Sequence, residues 1–151
     1  MIIGIGADHR GYEKKETLKK YFNKKHISYI DYGCTSKNSS DDYNDFAYLV
    51  CKGVINKEVD RGILICGTGI GMSIAANKMK GIMCAKIDNS SEASLSIEHN
   101  HANVISFSAK KSMFEIKDMV DAFMKASPLN EEKYLRRIDK ISSLEKKNTY
   151  K

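Results

Sequence analysis

Five short, largely apolar runs, each followed by a segment of helical character, constrain this chain more than any other feature. Ile2–Ala7, Ile27–Tyr32, Gly62–Cys66, Ile82–Ile87 and Asn103–Phe107 have strand length and are bounded by turn residues. Apolar residues then recur three and four apart. Leu18, Tyr21 and Phe22 mark a helix from Tyr12 to Lys25. Phe46, Val50 and Val54, flanked by Leu49, mark one from Asp45 to Lys57, and Ile116, Met119, Val120 and Phe123 mark a later one. Shorter helices are expected over Ser73–Lys78, ended by Gly81, and over Ser91–Glu98, delivering His99, Asn100 and His101. This alternation predicts an α/β fold: a doubly wound parallel sheet with right-handed crossovers. If strands one, three and five are neighbours, their carboxyl ends converge where such sheets bind ligands. Composition leaves the strand order open.

A last helix is expected over roughly Asn130 to Leu144, with Leu135, Ile138, Ile141 and Leu144 on its buried face. Pro128 suits its approach and first turn, and residues 145–151 are expected to fray. With one proline and no Gly/Ser linker, residues 1–151 are expected to form a single domain.

The 25 basic and 19 acidic residues leave a net charge of +6, which suits an anionic ligand. The basic residues are scattered among acids over 14–25, 110–125 and 133–147, as on solvated helix faces, and no nucleic-acid motif accompanies them. Nucleic acid is not the expected partner. Neither is a membrane, because no apolar run approaches spanning length. Cysteines 34, 51, 66 and 84 form no C-x-x-C pair, and no basic segment precedes the first apolar run. A cytoplasmic protein with reduced thiols is expected.

After the third strand, Cys66-Gly67-Thr68-Gly69-Ile70-Gly71 sets glycines at every second position. Strand, glycine loop and helix N-terminus together make an anion cradle of converging amides. Cys66 and Thr68 put a thiol and a hydroxyl on its rim, and a thiol there should ionise more readily than a free one. Met72 and Ser73 follow Gly71, so neither the Walker A nor the dinucleotide spacing is met. A small phosphorylated ligand is expected; the alternative is a tight turn that only packs helix on sheet.

Ile63–Lys78, with Gly6-Ala7-Asp8-His9, Asp42-Tyr43, His99-Asn100, Ala102-Asn103-Val104 and Arg137, resembles the type B ribose-5-phosphate isomerases. That family includes galactose-6-phosphate and allose-6-phosphate isomerases, and the similarity spans nearly the whole chain. It implies a three-layer α/β/α Rossmann-like fold with a five-stranded parallel sheet and an extra C-terminal helix that helps join subunits. It implies a homodimer with sites built across the interface, and leaves pairing into tetramers open. The implied activity interconverts ribose 5-phosphate and ribulose 5-phosphate through a cis-enediolate, in the pentose phosphate pathway, without metal or cofactor.

Proton transfer between adjacent carbons needs a base, donors for the enediolate oxygens, a ring-opening group and a phosphate anchor. Cys66 is the candidate base; its other reading is a buried strand cysteine. Family members carry either cysteine here or an acidic residue at the position of Met72, and Met72 is no base, so the chain resembles the cysteine form. Thr68 and the amides of Gly67, Gly69, Ile70 and Gly71 would hold oxygens, although Thr68 alone could serve only its turn. By resemblance His99 opens the ring and Asn100, Asp8, His9 and Tyr43 bind substrate. Asp8 could equally cap a helix.

By resemblance phosphate falls to Arg137, Lys110 and Lys133, with His9. The chain departs from the family here: arginine is usual at 110 and 133, proline at the position of Asn44, and arginine often at that of Met83. Lysine offers phosphate a point charge where arginine offers a fork. A six-carbon sugar-phosphate isomerase and a binding-only subunit are the alternatives.

Overall fold

The fold is that of a computed structural model, which describes residues 1–148. Within them five strands and six helices follow one another: β1 (Ile2–Ala7), α1 (Tyr12–Lys24), β2 (Ser28–Asp31), α2 (Tyr43–Ile55), β3 (Arg61–Cys66), α3 (Ile70–Ala76), β4 (Cys84–Lys86), α4 (Ser90–Asn100), β5 (Val104–Ser108), α5 (Met113–Lys125) and α6 (Glu132–Asn148). Every strand pair is parallel, in the order β2-β1-β3-β5-β4. The first, third and fifth strands are therefore neighbours, and their carboxyl ends share one edge.

Side chains alternate across a strand, and β3 shows how this makes three layers. Ile63 and Ile65 join Leu18, Phe22, Ala93, Ile97, Ile116 and Phe123 of α1, α4 and α5 in one core. Leu64 and Cys66 face the other way, onto Ala47, Val50, Cys51, Met72 and Ala76 of α2 and α3. Each fully buried large aliphatic side chain contributes about 1.5–3 kcal/mol. Close approach of α2 to β1 depends on Gly6, where a Cβ would stand 2.7 Å from Val50 Cγ2. Among the described residues no helix is long and apolar enough to cross a membrane.

Several boundaries differ from expectation, each for a local reason. Helix α2 starts at Tyr43 because Asp42 is extended, leaving Asp45 in the first turn, and Leu49 is exposed. Helix α3 begins at Ile70, straight after the left-handed Gly69, and ends at Ala76, so Gly81 lies beyond it in a turn. Helix α4 runs through His99 and Asn100 and stops at His101, whose φ of 51° ends it. Pro128 lies in the irregular connection before α6 and not in its first turn. On α6 the expected buried face is open: Leu135, Ile141 and Leu144 are exposed and Tyr134 is buried instead. The expected fraying at 145 gives way to helix through Asn148, with the Gly81 amide donating to Glu145 Oε1 at 2.8 Å. Positions 149–151 lie outside the described residues.

Candidate active site

A cavity of about 330 Å³ opens at the shared carboxyl edge. Asp8, His9 and Arg10 reach it from the end of β1, Asp41, Asp42 and Tyr43 from the start of α2, and Cys66, Gly67, Thr68 and Gly71 from the end of β3.

Asp8 shapes the first wall. It is buried, and its Oδ1 accepts the amides of Arg10 and Gly11, both at 3.0 Å, turning the chain from β1 into α1. The carboxylate serves that turn; the N-cap itself is Gly11. His9 is fixed through Asp41, whose Oδ1 lies 2.7 Å from His9 Nδ1 and also accepts the His9 amide at 3.1 Å. Burial works against charge on Asp41, but hydrogen bonds from Ser39 and His9 outweigh it and hold the carboxyl below its ordinary range.

The glycine loop forms the floor. Cys66 ends β3 almost fully buried, and the Gly69 amide donates to its Sγ at 3.1 Å. Only glycine fits at 69: φ is +80°, and a Cβ would stand 2.8 Å from the backbone of Phe107. Two serines of β5 tie the loop down. Ser108 Oγ donates to the Gly67 carbonyl at 2.7 Å and Ser106 Oγ to the Gly69 carbonyl at 2.8 Å. The alternating glycines are thus held by alternating serines on the neighbouring strand. Thr68 Oγ1 accepts the Ile70 amide at 3.2 Å, a local turn bond, while Thr68 still lines the cavity. Gly71 leaves room for Tyr43, whose Cζ would lie 2.5 Å from a Cβ there.

His99, Asn100, Lys110, Lys133 and Arg137 do not line this cavity. His99 stacks on Tyr134 with ring centroids 4.5 Å apart, and Lys133 lies over the other partner of that stack, 4.8 Å from the Tyr134 centroid. Arg137 is exposed on α6. Lys110 is closer to the loop, its amide donating to Ser108 Oγ at 3.1 Å. In the other direction, the cavity includes Arg10 and Asp41, and the loop rests on Ser106 and Ser108, none of which is among the expected site residues. Polar residues alternating within the apolar β5 were the available signal for the serines; Asp41 had none within its polar loop.

Comparison with known proteins accords with this geometry. The family described as ribose/galactose isomerase matches residues 3–141. Ribose-5-phosphate isomerase B of Escherichia coli (strain K12) is 36% identical over 146 residues, 96% of this chain and 97% of that protein. The solved ribose-5-phosphate isomerase B of Clostridium thermocellum gives a TM-score of 0.93 at 41% identity, covering 98% of this chain and 99% of that one. That of Mycoplasma genitalium, solved with bound ribulose-5-phosphate, gives 0.88 at 39% identity over 96% of each.

Proposed function

The chain belongs to the ribose/galactose isomerase family, and from that premise we propose how its residues interconvert ribose 5-phosphate and ribulose 5-phosphate. The observation that carries the reading is Cys66 Sγ on the cavity floor, within hydrogen-bonding distance of the Gly69 amide. As thiolate, Cys66 takes the proton from C2 of the open-chain aldose while the electron pair passes through the new C1–C2 double bond to O1. The thiol, its proton open to exchange with solvent, then delivers a proton to C1, and with the O2 proton moved to O1 this yields the ketose. Thr68 and the amides of Gly67, Gly69, Ile70 and Gly71 hold the enediolate oxygens as charge develops. Asp8, His9 and Tyr43 bind the sugar.

Ring opening by His99, sugar binding by Asn100 and phosphate binding by Lys133 and Arg137 require those residues at a cavity which their own chain does not give them. We therefore assign them to a second copy, in a homodimer whose two sites are each shared, with Lys110 reaching the substrate from the end of its own β5. The apolar residues Leu135, Ile141 and Leu144, exposed along α6, support such a contact. The reading treats residues 1–151 as one isomerase domain. It places the protein in the cytoplasm, in keeping with cysteines 34, 51, 66 and 84 all being unpaired.

Subunit mixing tests the shared site. Cys66→Ala and His99→Ala are each expected to be inactive, and a 1:1 mixture dissociated and reassociated should regain about a quarter of wild-type activity, since half the dimers then carry one intact site. No recovery would contradict the shared arrangement.

A further inference from the structure

Among the residues lining the cavity are three carboxylates, Asp8, Asp41 and Asp42, and one side chain that is cationic at any physiological pH, Arg10. The turn that carries Arg10 is fixed, because its amide donates to Asp8 Oδ1 at 3.0 Å. From there the side chain lies across the glycine loop. A Cβ on Gly67 would stand 3.1 Å from Arg10 Cδ and 3.2 Å from its Nη1, so the bare backbone at Gly67 gives the guanidinium its seat.

The neighbouring carboxylates do not claim it. Asp8 Oδ1 is committed to the Arg10 and Gly11 amides, and Asp41 to Ser39 and His9. No ion pair or side-chain hydrogen bond within the described residues involves the Arg10 guanidinium. An arginine left unpaired beside carboxylates, at the wall of a cavity that must take an anion, has its donor fork available for a ligand.

Resting on the sugar-phosphate reading above, we propose that Arg10 binds the substrate's phosphate, so that each chain contributes an anchor to its own cavity. Position chooses phosphate over the reacting oxygens. The guanidinium lies over Gly67 beside the loop, but unlike the buried Cys66 thiol Arg10 is exposed to solvent, and the doubly charged group farthest from the reacting carbons is the costliest to bring inside.

Arg10→Gln and Arg10→Lys test this, with ribose 5-phosphate as substrate and inorganic phosphate as competitive inhibitor. Because Arg10 is exposed, both variants should fold, which circular dichroism checks. In Arg10→Gln the KM and the phosphate inhibition constant should rise together by about tenfold, with kcat within about twofold of wild type and Arg10→Lys between. A fall in kcat with phosphate inhibition unchanged would move Arg10 to the reacting oxygens and overturn the proposal, as would kinetics identical to wild type. Should the wild-type protein turn over no ribose 5-phosphate, the isomerase reading itself fails. Calorimetric titration with inorganic phosphate then decides separately: affinity weakened in Arg10→Gln supports the anchor, and equal affinity overturns it.

Discussion

The amide of Gly69 donates to Cys66 Sγ across 3.1 Å, tying the loop that would hold the substrate's oxygens to the group that would move its proton. The contact exists because Gly69 adopts a left-handed φ against the backbone of Phe107, a position closed to any side chain.

Gly69→Ala should therefore damage fold and chemistry together. The strained φ alone costs about 1–3 kcal/mol, and the clash of the new Cβ with the Phe107 backbone adds to it, as denaturant unfolding would measure. Displacing the amide should lower kcat by about 10²-fold or more, the loss typical of one missing oxyanion donor. A folded variant with wild-type kcat would show that the loop's position against sulfur is immaterial.

Ser106→Ala makes a milder version of the same change. It leaves the Gly69 carbonyl without its 2.8 Å partner in a fully buried site. Stability should fall by about 1–2 kcal/mol. Activity should drop several-fold in kcat with little change in KM, because the loop loosens while the binding groups stay. A change in KM alone would place Ser106 outside the loop's alignment.

An ion-pair network around the buried Lys15 should lose part of its stabilisation in acid. Lys15 is wholly buried, and Asp31 Oδ2 accepts from both Lys15 and Lys19 at 2.7 Å. Burial opposes charge on Asp31, but these ammonium groups and the Gly33 amide outweigh it and hold the carboxyl below its ordinary value of 3.8. The unfolded chain then takes up the proton first, so this stabilisation is present above the ordinary value and is lost as pH falls through the folded one. Asp31→Asn leaves the Lys15 ammonium with Glu16 alone and should cost about 2 kcal/mol near neutral pH. Its urea-unfolding free energy should also fall less than wild type's between pH 5 and pH 3, as read from parallel titrations. An equally steep fall would place the acid sensitivity elsewhere.

How far the sequence foretold this site follows from what neighbours along a chain can reveal. Strand-to-helix alternation and the Cys66–Gly71 loop were visible because their meaning is local: period two, period 3.6, and glycines where a backbone must bend. Ser106 and Ser108 were not, because their role depends on β5 lying beside β3, which strand order decides. Asp41 depends on a contact with His9 across 32 positions. On α6 the spacing located an apolar stripe and could not say what covers it, so Leu144 was expected inside and is exposed. Tyr134, off that stripe, is buried through its stack with His99.

Turnover of ribose 5-phosphate in deuterium oxide by wild type beside Cys66→Ala tests whether Cys66 moves the proton. Wild type should form ribulose 5-phosphate with solvent deuterium entering at the carbon that receives the proton. The variant, still folded and still binding the sugar, should lose about 10²–10⁴-fold in kcat and show no exchange. A Cys66→Ala protein that turns over and exchanges within tenfold of wild type would mean that another group moves the proton.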